Sequence, residues 1–220
     1  MYYQVEEQDG YYRIGSPENV FSYLFVGSKQ AALIDTGHGF GDLKQAVRSV
    51  TDKPLIIINT HGHCDHTGGN AQFEEVCYIG EKDIALCQEH SEAAMRRDNA
   101  KRAEHSVNYE TGETYNGLPE GFDLEEYCRR GTGTLQAVSE GTVFDLGGIT
   151  LKIYETPGHT QGGISVLYLE KIYFSSGMQP ECLSGSLQKR QQILRLMQKP
   201  FKRCTIWMQH IISAHTIRIR

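Results

Sequence analysis

At 220 residues with 39% hydrophobic content and a formal net charge of −5, the chain has the length and composition of one globular α/β domain with a sizeable core. It contains no apolar run near the roughly 18 to 20 residues that span a bilayer, and the start, Met1-Tyr2-Tyr3-Gln4-Val5-Glu6-Glu7, lacks the basic and apolar regions of a signal peptide. No membrane association is expected, and the expected location is cytoplasmic. The six cysteines, Cys64, Cys77, Cys87, Cys128, Cys182 and Cys204, form no Cys-x-x-Cys pair or framework spacing, which fits reduced thiols rather than a disulfide scaffold.

In chain order, 20–26 and 31–34 read as apolar strands joined through the turn-forming Gly27-Ser28-Lys29-Gln30. After Asp35-Thr36-Gly37, the recurrence of Leu43, Ala46, Val47 and Val50 predicts a helix over 41–50. The continuous apolar run Leu55-Ile56-Ile57-Ile58 predicts a strand covered on both faces. A short helix over 70–75, a strand over 76–79 and one long helical stretch over 81–104 come next, the last carrying Ile84, Leu86, Cys87, Ala93, Ala94 and Met95. From 107 to 133 no period is visible, so this segment reads as a connection or cover. Its aromatic residues Tyr109, Tyr115, Phe122 and Tyr127 either line a pocket or pack on the domain body. Strands are predicted again over 142–144, 150–154, 164–169 and 171–175, with breaks at Leu146-Gly147-Gly148-Ile149 and Glu170-Lys171.

The strand over 55–59 delivers Thr60-His61-Gly62-His63-Cys64-Asp65-His66-Thr67-Gly68-Gly69, three imidazoles and a carboxylate in ten residues. Open α/β sheets commonly place their sites at such a strand end. Zinc favours neutral imidazole nitrogen and carboxylate oxygen, and a hydrolytic site keeps one coordination position open. His61 and His63, one residue apart, can converge on one ion, while Asp65 and His66 can hold a second beside it; Gly62, Gly68 and Gly69 supply the backbone freedom a tight ligand loop needs. Cys64 is expected to point away from the metals, His38 to be a solvent-exposed loop histidine, and Asp35 is a candidate acceptor for a ligand imidazole.

His61-Gly62-His63-Cys64-Asp65-His66 resembles the His-x-His-x-Asp-His signature of the metallo-β-lactamase-fold hydrolases. Ala32-Leu33-Ile34-Asp35-Thr36-Gly37 resembles the same family's strand-ending Asp-Thr-Gly, and Thr156-Pro157-Gly158-His159-Thr160-Gln161-Gly162-Gly163 its third-histidine loop. The resemblance runs from about 19 to 177. It implies a four-layer αββα sandwich forming a single domain over 1–220, with a helical and loop insertion over the site at 80–131. It also implies two zinc ions, the first held by His61, His63 and His159 and the second by Asp65, His66 and a late histidine, with Asp65 orienting the nucleophilic water. Ile212-Ser213-Ala214-His215-Thr216 resembles the strand and histidine that close the second site, which makes His215 the candidate.

The final segment departs from this pattern. Residues 1–178 carry 14 lysine plus arginine against 26 aspartate plus glutamate, whereas 179–220 carry 8 against 1. The family usually follows its third-histidine loop with a strand ending in Ser/Thr-Gly-Asp, whose aspartate bridges the metals; here Gly177 is followed by Met178. Loss of that carboxylate weakens chiefly the second metal position. Gly177-Met178-Gln179-Pro180 is what Gly-Asp-Ala-Ala becomes when one base is lost, so the atypical basic tail over 178–220 reads as a frameshift that leaves the fold incomplete at its C-terminal end. Two other readings of the tail are a solvated basic helix around 186–198 and a polyanion-binding segment.

The expected function is zinc-dependent hydrolysis of a small-molecule ester, thioester or lactone, with one zinc or a weakened second site. Glyoxalase II-like thioesterases share these motifs, although no distinctive glutathione-binding pattern is present. The alternatives are a catalytically impaired zinc-binding product and a phosphodiesterase or nucleic-acid binder; nucleic acid is not the expected partner.

Overall fold

The computed structural model describes residues 2–108 and 111–170, together with the backbone of 173–175. Along the chain run β1 (Gln4–Glu7), β2 (Tyr12–Gly15), β3 (Phe21–Val26), β4 (Ala31–Ile34), α1 (Leu43–Arg48), β5 (Leu55–Ile58), α2 (Cys64–Thr67) and β6 (Val76–Gly80). There follow α3 (Ile84–His90), α4 (Ala93–Ala103), β7 (Ser106–Val107), β8 (Thr114–Tyr115) and α5 (Leu124–Arg129). The last described elements are β9 (Thr134–Val138), β10 (Val143–Asp145), β11 (Thr150–Glu155), β12 (Ile164–Tyr168) and β13 (Tyr173–Ser175).

The larger sheet has the order β1-β2-β3-β4-β5-β6-β9, antiparallel from β1 to β4 and parallel from β4 to β9. The smaller, antiparallel sheet runs β10-β11-β12-β13. Side-chain alternation explains why the central strands are apolar throughout. Leu33 and Ile57 face α1, where they pack with Leu43, Ala46 and Val47. Ala32, Ile34 and Ile58 face the smaller sheet and meet Leu151, Ile153, Ile164 and Val166. Each fully buried aliphatic side chain contributes about 1.5–3 kcal/mol, so this two-faced burial fixes both the sandwich and the register. The result is an α/β sandwich of two packed sheets with α1 outside, as expected. Helix α1 starts where Asp42 accepts the Gln45 N–H at 2.8 Å.

Several elements differ from the sequence expectation. The long helix over 81–104 is a 3-10 turn (Glu81–Asp83) followed by two helices broken at Ser91 and Glu92. There the Ser91 hydroxyl donates back to the Cys87 carbonyl at 2.8 Å, and Glu92 is extended before α4 starts. Within 107–133 the chain forms the β7–β8 hairpin and α5, whose Asp123 accepts the Glu126 N–H at 2.9 Å. Asn70–Gln72 is a single 3-10 turn rather than a helix over 70–75. The β1–β2 hairpin and β9 extend the larger sheet at both edges, and no expectation covered them. No helix among the described residues is long and apolar enough to cross a membrane.

Candidate metal centre

Parallel strands β4 and β5 end side by side, which brings the Asp35–Gly39 turn against the loop that follows β5. The connection between β11 and β12 reaches the same edge from the other sheet, where the Ile164 N–H donates to the Thr60 carbonyl at 2.8 Å. Two groups of donors converge at this junction: His61, His63 and His159, and His61, Asp65 and His66, with the ligand atoms of each group within 4.8 Å of one another. His159 Nε2 lies 2.8 Å from His63 Nδ1 across 96 residues of sequence. His61 stands between the groups, its ring centroid 4.0 Å from that of His66 and 5.1 Å from that of His159.

Asp35 anchors this arrangement from behind. Its buried carboxylate accepts the Thr60 N–H at 2.7 Å and the Thr60 hydroxyl at 2.7 Å, and it meets His66 Nδ1 at 2.7 Å. A carboxylate oxygen can only accept there, so His66 carries a proton on Nδ1 and turns Nε2 toward Asp65, 3.4 Å away. The backbone is held as firmly: the His66 carbonyl accepts from the Thr36 N–H and the Asn59 amide, and Asn59 and Asn70 bond each other in a buried pair. The Asp35 turn thus does for His66 what the sequence proposed for a ligand imidazole.

The electrostatics fit a cation at these donors. Burial, followed by the charge on His66, pushes His61 down to about 2, so its imidazole stays neutral with a lone pair free. Burial, then His159 and His90, also lowers His63. Burial alone would lower His66, but Asp35 and Asp65 outweigh it and push the ring up to about 10. Burial opposes ionisation of Asp65, yet the hydrogen bond and charge of His66 hold its carboxyl below the usual carboxylate range.

Residues around the site are placed less as expected. His38 is not a solvent-exposed loop histidine: it stacks on Phe40 with centroids 5.0 Å apart, and its Nδ1 is buried without a hydrogen-bond partner among the described residues. The short β4–α1 connection folds the ring inward, and burial lowers its pKa against the pull of Asp65. Cys64 belongs to neither donor group, and burial raises its thiol pKa. Tyr127, at 0% exposure, packs with Phe40 as core, and Phe122 packs against the same cluster partly buried. His90 stacks on His63 at 4.9 Å and accepts the Cys64 N–H through Nδ1 at 3.3 Å. Asp83 binds two site loops. Neither residue carries a local sequence signal, since each reaches the site only by tertiary approach.

The family description "Metallo-beta-lactamase superfamily" matches residues 15–177. The chain belongs to the metallo-β-lactamase superfamily. Among the relatives of this superfamily member, acyl-coenzyme A thioesterase MBLAC2 of Homo sapiens is 28% identical over 181 residues, covering 76% of this chain and 60% of that protein. Hydroxyacylglutathione hydrolase GloC of Haemophilus influenzae is 27% identical over 157 residues, covering 68% of this chain and 61% of that protein. The chain thus spans about 60% of the length of the curated relatives it matches. The native FEZ-1 metallo-beta-lactamase from Legionella gormanii shares the fold, with a TM-score of 0.51 at 20% identity over 77% of this chain and 61% of that one. Tyr109, Met178, His215 and the whole basic tail, with the frameshift reading attached to it, lie outside the described residues.

Proposed function

We propose that this superfamily member is a zinc-dependent hydrolase acting on thioesters of small molecules. The observation that carries the reading is the convergence of His61, His63 and His159 from two distant loops onto one point. The acyl-coenzyme A thioesterase and hydroxyacylglutathione hydrolase relatives support the thioester as substrate class, within the wider set of esters and lactones. His61, His63 and His159 would hold the firm zinc, and Asp65 and His66, beside the shared His61, a weaker second one. When bound, zinc at such donors supplies Lewis acidity that acidifies water and polarises a carbonyl.

The chain's own residues supply orientation and proton handling. Asp65, an ionised carboxylate at neutral pH, accepts a hydrogen bond from the attacking water and takes its proton as the water oxygen bonds to the thioester carbonyl carbon. The carbon–sulfur bond then breaks, and the same proton passes to the leaving sulfur. Asp35 keeps His66 in the orientation this requires. A role of the segment over 80–131 as a cover for the site is supported by Arg96, Tyr127 and Arg130, which donate to the carbonyls of Gly68, His38 and Gly39 in the loops beside the donors.

The test is hydrolysis of acyl-coenzyme A and acylglutathione thioesters, simple esters, lactones and phosphodiesters by zinc-loaded protein, alongside metal analysis of the protein and of His63→Ala. The expected result is thioester cleavage with at least one zinc per chain, reduced about 100-fold or more in His63→Ala. Phosphodiester cleavage without thioester cleavage, or full activity in His63→Ala, would overturn the reading.

A further inference from the structure

We propose that Asp83 is a positioning residue that assembles the three-histidine group by pinning its two loops to a single buried carboxylate. The inference rests on the reading of His61, His63 and His159 as metal ligands. Asp83 closes the 3-10 turn after β6 and is 1% exposed. Its Oδ2 accepts the Gly62 N–H at 2.9 Å, and its Oδ1 accepts the Gly162 N–H at 2.7 Å. Gly62 lies between His61 and His63, and Gly162 lies three residues beyond His159. One carboxylate therefore spans the two segments whose imidazoles must meet. Placing an ionisable group at such depth is costly unless its oxygens are satisfied, and here both are satisfied by the backbone of the ligand loops.

The packing around Asp83 shows how close this junction is. A Cβ on Gly62 would lie 2.7 Å from the Asp83 carbonyl oxygen, and a Cβ on Gly162 would lie 2.5 Å from the Asp83 nitrogen and 2.8 Å from Oδ1. Both positions therefore require glycine because the Asp83 turn sits against them. A Cβ on Gly80, at the end of β6, would collide with the Gly162 carbonyl, so the strand that carries Asp83 also abuts the His159 loop. Ligands from separate segments bind a shared ion tightly only when their separation is set in advance. Asp83 sets it without touching the ion.

The experiment compares wild type, Asp83→Asn, Gly162→Ala, Val47→Ala and His63→Ala in the full chain. Zn2+ affinity is measured by competition with a chromogenic chelator, the visible spectrum is recorded with Co2+ in place of zinc, and thermal unfolding is followed without metal. Asp83→Asn puts an amide N–H2 against a backbone N–H at one of the two joints. Gly162→Ala wedges the Gly162 joint while keeping the carboxylate. Both are expected to weaken zinc at least tenfold and to change the Co2+ absorption. Val47→Ala, which opens the core beneath α1, is expected to lower the unfolding temperature while keeping zinc affinity within twofold of wild type. Wild-type affinity and spectrum in Asp83→Asn, or in Gly162→Ala should Asp83→Asn not fold, would overturn the positioning role. So would an equal loss of affinity in Val47→Ala, which would mark a general effect of stability. Undiminished zinc binding by His63→Ala would reject the ligand assignment itself, an outcome separable from failure of the Asp83 arm alone.

Discussion

Asp35 sits at φ +60°, in the left-handed region that few residues other than glycine and asparagine adopt readily. That conformation turns the chain sharply off β4 and aims the carboxylate at Thr60 and His66 together. Asp35→Asn tolerates the same backbone and removes the charge, so it isolates the electrostatic contribution from the turn. The amide keeps one of the two acceptor oxygens that face Thr60 and His66, and His66 loses the negative charge that orders its ring. The expected outcome is about 10- to 100-fold weaker metal binding at the His61, Asp65 and His66 group, read by zinc titration. Stability should fall by about 1–3 kcal/mol, read by urea unfolding.

Helices α4 and α5 act on the site through backbone carbonyls. Arg96, 1% exposed, donates to the carbonyls of Ser91 at 3.1 Å, Gly68 at 3.1 Å and Gly131 at 2.9 Å, and its guanidinium lies over the Tyr127 ring. Tyr127 donates its hydroxyl to the His38 carbonyl at 3.0 Å, and Arg130 donates to the Gly39 carbonyl at 2.7 Å. The two helices thus clamp the loop after β4 and the end of the loop after β5 by three side chains. Gly68 itself ends α2, the short helix that presents Asp65 and His66. Replacing Arg96 by Met keeps much of the volume and strands two buried carbonyls, those of Ser91 and Gly68, and the part-buried carbonyl of Gly131. Bonds from a charged donor contribute about 1.5–3 kcal/mol each, and partial relaxation leaves an expected loss of about 3 kcal/mol in chemical denaturation. Arg96→Lys should recover little of it, because an ammonium cannot reproduce the planar fork that reaches three separate segments.

The candidate centre joins the two sheets: one ligand loop comes from the larger sheet and the other from the smaller. A cation bound there is a crosslink between layers, present in the folded state and absent from the unfolded chain. At a free zinc concentration near 1,000 times Kd, linkage predicts about 4 kcal/mol of added stability. For a chain of this length that corresponds to an unfolding temperature lower by roughly 10 °C after chelation. Calorimetry with and without chelator checks it, and an unchanged unfolding temperature would contradict a resident ion at the junction.

Most of the donor set was legible along the chain. His61, His63, Asp65 and His66 crowd into one loop after an apolar strand, and His159 stands in a glycine-rich loop of matching type. Strands β3 to β6 and β10 to β12 were legible too, because burial on one face leaves an alternating apolar pattern and burial on both faces leaves a continuous apolar run. The break between α3 and α4 was not, since it depends on a serine hydroxyl turning back on its own helix rather than on any lapse in helix-forming composition. The edge strands β1 and β9, and β2 beside β1, are partly exposed and carry mixed residues, so pairing partners define them more than their own pattern does. His90 and Asp83 escaped for a stronger reason. Residue type and spacing report what a segment can offer locally, whereas a stacked ring or a carboxylate between two loops exists only once distant backbone has been brought together. The chain's local chemistry thus set which atoms could bind an ion, and tertiary packing set which of them meet and what holds them there.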